Sequence, residues 1–275
     1  MMNKVGPIGV FDSGYGGLTV LQELMRVLPD YDYLYLGDNA RAPYGNRSFE
    51  VVHEFTLEAV KYLKNQGCRL VILACNTSSA KALRTLQQID LAHADSDFRV
   101  LGVIRPSTET IGSLSKTNSI GILGTLGTIQ SESYKIELER FSSKTAVFQH
   151  ACPMWVPLIE SKQHQTDLGK KIIEKDLEVL LSKDGSIDTI LLACTHYPLI
   201  LDQIQDIVGP SIQVISQGPI VADKLKDYLL RNQFMKTQLS KGGTCSFLTT
   251  ENVDVFMETA TQFLAQTITA QQIKL

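Results

Sequence analysis

LVILACNTSSA (residues 70–80) and ILLACTHYPLI (residues 190–200) each run through apolar residues into Ala-Cys and then into polar residues. An apolar run without alternation is what a parallel strand covered on both faces requires. The polar turn that follows leads, in each case, into a helical pattern. A second pair of segments repeats in the same way: IGVFDSGYGGLT (8–19) and IGILGTLGTIQS (120–131), offset by 112 residues, while Cys75 and Cys194 are offset by 119. Each half of the chain thus has one strand ending in a Gly-rich turn and a later strand ending in Ala-Cys. The repeat is weak in sequence but consistent in order, and it reads as a duplicated α/β unit.

Outward from these segments the alternation continues. Strand-like runs occur at 5–11, 31–36, 98–104, 145–150, 211–216 and 245–250, with helical stretches between them, notably 130–141, 166–183, 219–231 and 252–270. Leu18, Leu21, Leu24, Met25 and Leu28 share one helical face, as do Phe49, Val52, His53, Thr56, Val60 and Leu63 after Ser48. Strands separated by helices mean βαβ units and parallel sheets. About nine strands favour two sheets over one. The expected fold is therefore α/β, with two doubly wound parallel-sheet domains related by pseudo-symmetry and a cleft between them. The expected division is 98–207 for the second domain and 1–97 plus 208–275 for a discontinuous first.

Composition narrows the class. A chain of 275 residues with 44% hydrophobic and 20% charged residues is neither disordered nor collagen-like. Lys and Arg number 26 against 29 Asp and Glu, for a net charge of −3, so the basic excess of a dedicated nucleic-acid binder is absent. No apolar run reaches the length of a membrane helix, and MMNKVGPIGVFDSG does not read as a signal peptide. Five cysteines, an odd number with wide gaps and no CxxC pair, suit free thiols rather than a disulfide framework or a zinc site. A cytoplasmic protein, independent of membrane and nucleic acid, is expected.

Ligands of open α/β sheets sit beyond the carboxyl ends of the strands. Those positions here are Asp12-Ser13, Asp38, Cys75-Asn76-Thr77, Thr125 and Cys194-Thr195-His196. A helix start offers free N–H groups to an anion and lowers the pKa of a thiol. Cys68, Cys152 and Cys245 read as packing residues, and His53, His93, His150 and His164 as structural histidines. Asp12 and Asp38 serve as helix caps on one reading and as ionisable site groups on another. The loops SGYGGLT (13–19) and GILGTLGT (121–128) miss the GxGxxG spacing, and no P-loop occurs. They suit a small anion better than a dinucleotide.

Six segments in order, IGVFDSGYGGLTVL, YLGDNARAPYG, LACNTSSA, GILGTLGTIQSESY, ACPMWVPLIE and DTILLACTHYPL, carry a family resemblance. The chain resembles the glutamate racemases of the cofactor-independent aspartate/glutamate racemase superfamily. The resemblance implies two pseudo-symmetric α/β domains and interconversion of L- and D-glutamate without a cofactor or metal, supplying D-glutamate for peptidoglycan. It implies that Cys75 and Cys194 are the acid/base thiols, the first acting on D-glutamate and the second on L-glutamate. Asp12, Asp38, Glu160 and His196 match its supporting ionisable residues. Ser13, Tyr44, Gly45, Asn76, Thr77 and Thr195 match its substrate-contacting positions, with Asp12 and His196 counted there as well. Three residues depart from the family pattern: Asn39 for Thr, Ser78 for Ala and Ala193 for Gly. A homodimer is left open.

The chemistry suits the residues. Racemisation takes an α-hydrogen from one face and returns one to the other, so each direction needs one thiolate and one thiol. His196, two residues beyond Cys194, is placed to assist that thiol, and Asp12 or Asp38 to assist Cys75. Two alternatives remain at this point. One is a racemase for aspartate or another acidic amino acid, since one methylene discriminates by only about 1–3 kcal/mol. The other is a binding protein that holds an acidic metabolite without turnover.

Overall fold

The apolar runs become ten strands, among the described residues, in a computed structural model that describes residues 5–92 and 97–275. In chain order they are β1 (Ile8–Asp12), β2 (Tyr33–Gly37), β3 (Leu70–Leu73), β4 (Arg99–Gly102), β5 (Ser119–Gly124), β6 (Ala146–Ala151), β7 (Thr189–Ala193), β8 (Gln213–Ser216), β9 (Cys245–Thr249) and β10 (Ala270–Gln272). They form two sheets, ordered β10-β9-β2-β1-β3-β4 and β6-β5-β7-β8. Every pairing within them is parallel. Burial matches the sequence pattern, since β1, β2, β3, β5 and β7 are buried at every position.

The duplication is visible in strand order. β2-β1-β3-β4 in one sheet and β6-β5-β7-β8 in the other are the same arrangement, with β9 and β10 added at the free edge of the first. The repeat unit is therefore four strands long. This corrects the expected boundaries at 97/98 and 207/208, which assign β4 to the second domain and β8 to the first. β4 pairs with β3, and β8 pairs with β7. The sequence repeat marked only the first and third strands of each unit, so the fourth strands, though legible as strands, carried no mark of the unit they close. Chain crossing happens five or more residues later than expected, at Val103 and at Gln217. After Val103, the helix Ile104–Ile111 joins the core of Ile120, Ile122 and Tyr134. From Gln217, the helix Gln217–Arg231 returns to pack Val221, Ala222, Leu225 and Leu229 with Leu18, Leu21 and Leu24.

Helix ends follow local chemistry. Ser48 Oγ accepts from the Val51 N–H at 3.3 Å and starts the helix Phe49–Asn65. Thr166 Oγ1 accepts from Gly169 N–H at 3.1 Å and starts Asp167–Leu181. The expected helix at 130–141 is two, Leu126–Gln130 and Ser133–Phe141, separated at Glu132 by a left-handed residue (φ 53°). The last long helix stops at Leu264, again at a left-handed residue, Ala265 (φ 52°), and not at 270. β10 follows, unseen in the sequence because Ala-Gln-Gln has no strand signature. His93 lies outside the described residues.

Leu191 sits at the middle of β7, fully buried, three residues before Cys194. Leu191→Ala should cost about 2–5 kcal/mol of stability in urea denaturation. A loss below about 1 kcal/mol would contradict a packed core on both faces of this strand.

Candidate active site

β1 ends in Asp12, β3 runs into Cys75, and β7 runs into Cys194, so the carboxyl ends of three strands bring the expected residues to the line where the two sheets meet. Cys75 and Cys194 are each 5% exposed. Cys75 caps the short helix Asn76–Lys81, its Sγ accepting from the Ser78 N–H at 3.4 Å. The same sulfur donates to Ser13 Oγ at 3.5 Å. Burial, with the nearby Asp12 charge second, pushes the Cys75 thiol up to about 11. It is a protonated acid at neutral pH.

Cys194 has different company. Its Sγ lies 4.0 Å from His196 Nδ1, and the opposite nitrogen, Nε2, lies 2.8 Å from Glu160 Oε1. Burial alone pushes the imidazole down. Hydrogen bonds to Cys194 and Glu160, with the charges behind them, outweigh it and raise His196 to about 10. A cation held beside Cys194 stabilises negative charge on its sulfur. The two thiols are thus in opposite electrostatic settings.

Asp12 binds the two sites together. Its Oδ2 accepts from the Gly14 N–H at 2.9 Å and its Oδ1 from Thr195 Oγ1 at 3.3 Å. Full burial raises its carboxyl above the usual range, and the His196 charge partly offsets this. Further bonds close the seam. Thr19 Oγ1 donates to the Thr195 carbonyl at 2.9 Å, and the Gly127 N–H donates to the Gly45 carbonyl at 2.8 Å. Thr77 Oγ1 lies 3.0 Å from Thr125 Oγ1 and 3.4 Å from Thr128 Oγ1, making a cluster of hydroxyls across the junction.

Asp38 and Tyr44 are placed differently from a pair that touches a thiol. Asp38 Oδ2 accepts from Arg41 Nε at 2.6 Å and from the Tyr44 hydroxyl, and Oδ1 accepts from Thr250 Oγ1 at 2.9 Å. These bonds fix the loop that carries Gly45. Asp12, not Asp38, is the carboxyl that acts electrostatically on Cys75. Asn76 is 2% exposed, and its side chain turns into a buried network with Tyr134 and Gln217.

Several participants were not singled out from the sequence. Thr128 is one, although the Thr-x-x-Thr spacing after β5 puts both hydroxyls on one turn. Arg41 lies inside a quoted motif. Thr250 and Gln217 gave no signal, because they arrive from more than 140 residues away from their partners Asp38 and Asn76. Of the other histidines, His53 pairs with Asp90 and His150 with Asp176, both at 2.8 Å. His150, Cys152 and Asp176 bring ligand atoms within 4.8 Å of one another. Asp176 already spends one oxygen on His150 and the other on Trp155 Nε1, at 2.7 Å, and burial keeps the Cys152 thiol neutral. That set is complete as a hydrogen-bonded His–Asp–Trp group beside a thiol.

A buried neutral thiol on one strand end and, at the matching position of the other sheet, a thiol beside the His196–Glu160 pair make an arrangement suited to two-sided proton transfer, the chemistry of an amino-acid racemase. The comparisons agree. The family model for Asp/Glu/Hydantoin racemase matches residues 9–225, and the chain belongs to that family. A glutamate racemase from Streptococcus agalactiae serotype III (strain NEM316) is 36% identical over 269 residues, 98% of each chain. The crystal structure of a glutamate racemase isoform from Bacillus anthracis superimposes with a TM-score of 0.89 at 36% identity, covering 98% of both chains. That of the Francisella tularensis glutamate racemase in complex with D-glutamate gives 0.86 at 30% identity, covering 98% of this chain and 97% of that one.

Gly16 supplies a test of the His196 geometry. A Cβ there would lie 2.3 Å from Thr195 Oγ1 and 2.5 Å from His196 Nδ1. Gly16→Ala should displace the imidazole from Cys194 and lower turnover roughly 100-fold, the scale of an ångström-sized misplacement. Wild-type kinetics in this variant would show that the His196 position is not needed.

Proposed function

We propose that this protein interconverts L- and D-glutamate by direct proton transfer between two opposed thiols, and that its product supplies peptidoglycan synthesis. The observation that carries the reading is the contrast between Cys75, a buried neutral thiol, and Cys194, held beside the His196–Glu160 pair. In this resting arrangement Cys194 is the base and Cys75 the acid, so the site is set to take the α-hydrogen of L-glutamate and to protonate the opposite face. After one turnover Cys75 holds the negative charge and Cys194 the proton, which is the form that D-glutamate requires.

His196 places its imidazole beside the Cys194 sulfur, and Glu160 holds the ring in place through Nε2. Asp12 keeps Thr195 and the Gly14 N–H in register and makes a second negative charge at Cys75 unfavourable, so the acid stays protonated until substrate arrives. Asp38 acts at a distance, through Tyr44 and Gly45. Ser13, Thr77, Thr195 and the backbone of Asn76 line the strand ends where the substrate carboxylates belong, and the Thr77–Thr125–Thr128 hydroxyls offer a polar wall for one of them. No step needs a cofactor in this scheme. The choice of glutamate rests on the near full-length relatives, and aspartate is the competing substrate.

Circular dichroism of L-glutamate, and in parallel L-aspartate, incubated with the protein and no added cofactor tests the reading. Glutamate should lose its optical signal and aspartate should keep it. An unchanged glutamate signal overturns the proposal. Cys75→Ala and Cys194→Ala should each cut turnover by about 10²–10⁴-fold or more, because no other proton carrier serves that face. Both variants should melt as cooperative folded proteins, and near-native turnover in either one refutes the two-thiol assignment.

The pH dependence carries a sign. His196 raised to about 10 is an imidazolium throughout the neutral range and loses its proton only as pH rises through about 10. The rate from L-glutamate should therefore hold through neutral pH and fall on that alkaline side. His196→Asn should be slow at every pH and lose the fall near 10, keeping only the later one as the Cys75 acid gives up its proton near 11. A variant that keeps the same alkaline limb would assign the titration to another group.

A further inference from the structure

The chain crosses between the two sheets at Val103 and again at Gln217, and the Gln217 side chain touches both crossings. Its Nε2 donates one proton to Ser107 Oγ at 2.8 Å and the other to the Tyr134 hydroxyl at 2.5 Å, and lies 3.4 Å from the Val103 carbonyl. Its Oε1 accepts from Asn76 Nδ2 at 2.6 Å. The Tyr134 hydroxyl in turn donates to Asn76 Oδ1 at 2.5 Å. Asn76, Gln217 and Tyr134 therefore form a closed ring in which each side chain donates once and accepts once. All three are at most 3% exposed.

The direction of the ring is not arbitrary. Ser107 has one hydroxyl proton, and it goes to the Val103 carbonyl at 2.8 Å. Ser107 Oγ can then only accept from Gln217, which forces the NH₂ group of Gln217 to that side and its carbonyl toward Asn76. The Asn76 amide is oriented by the same logic. Its carbonyl must face Tyr134, and one N–H must face Gln217. Rings of this kind polarise one another and leave a costly unpaired group when one member is lost.

We propose that Gln217 is a positioning residue for Cys75. Asn76 follows Cys75 directly and begins its helix. Through Asn76, the Gln217 amide sets the Cys75 turn against Tyr134 and Ser107 of the second half, the half that carries Cys194. The opposed placement of the thiols depends on this register. The proposal deepens the racemase reading above and rests on it for its effect on turnover. Gln217 itself touches no reacting atom.

Three variants test it: Gln217→Met, which keeps the length but removes every bond; Tyr134→Phe, which removes one hydroxyl and least disturbs packing; and their combination. The readouts are kcat/KM for L-glutamate and the separate alkylation rates of Cys75 and Cys194 by iodoacetamide, followed by peptide mass spectrometry. Each single variant should lose roughly 10- to 100-fold in kcat/KM, and the double variant should lose no more than the worse single one. Cys75 should be alkylated roughly fivefold faster, the opening expected from one lost net hydrogen bond, with Cys194 unchanged. Equal acceleration of both thiols would mean general loosening and would overturn the proposal. So would wild-type rates at both thiols, or additive losses in the double variant. If Gln217→Met does not fold, Tyr134→Phe decides by the same criteria. Should the wild-type protein fail to racemise glutamate, the proposed function falls, while the ratio of the two alkylation rates still decides the role of Gln217.

Discussion

Cys194 Sγ and His196 Nδ1 lie 4.0 Å apart in a setting almost sealed from water, and the rest of the site is organised around what that contact needs. Burial alone favours a neutral imidazole and a neutral thiol, since both charged forms lose solvation. Glu160 on Nε2 shifts the balance toward the cation, and the cation favours a negative sulfur. Space for the ring comes from Gly16, where any side chain would strike it. Cys75 has no such cation. Burial, with the Asp12 charge second, keeps it protonated against the opposing pull of its hydrogen bonds to Ser13 and the Ser78 N–H. One fold, duplicated, thus sets its two thiols among different neighbours.

The asymmetry is useful only if the two strand ends stay in register, and the seam between them is polar rather than greasy. Thr195 bonds to Asp12 and to Thr19, Gly127 bonds to Gly45, and Thr77 meets Thr125 and Thr128. Hydrogen bonds are directional in a way that apolar contact is not, so they fix one relative placement of the halves. The apolar cores cover the faces of the two sheets and reach the seam only at its edges, where Cys194 joins one cluster and Ala80 packs against another. Parallel sheets allow this division, because their strand ends point to one side and their flanks take the helices.

Much of this could be read in the chain before its structure. The apolar runs gave nine of the ten strands, and their carboxyl ends gave Asp12, Asp38, Cys75, Thr125 and Cys194. Local pattern suffices there, because a buried parallel strand and the turn after it are written in consecutive residues. What consecutive residues do not encode is pairing. β4 and β8 looked like the opening of the next unit, and only hydrogen bonding to β3 and β7 places them as closing strands. The partners of Asp38 and Asn76 were hidden for the same reason. Asp38 is met by Thr250 from the far end of the chain, and the Asn76 side chain by Gln217 and Tyr134, contacts that no local pattern announces.

The central claim is that the proton taken from one face and the proton returned to the other belong to different sulfurs. Deuterium incorporation tests it most directly. Unlabelled L-glutamate is incubated with the protein in D₂O, the reaction is stopped early, and both enantiomers are separated and weighed by mass spectrometry. Cys75, equilibrated with solvent, delivers deuterium, while Cys194 keeps the abstracted hydrogen until it exchanges. D-glutamate should therefore carry deuterium at the α-carbon from the first turnover, and recovered L-glutamate should remain almost unlabelled. Substantial unlabelled D-glutamate at early times would mean that one base carries the hydrogen from face to face, and would contradict the opposed thiols.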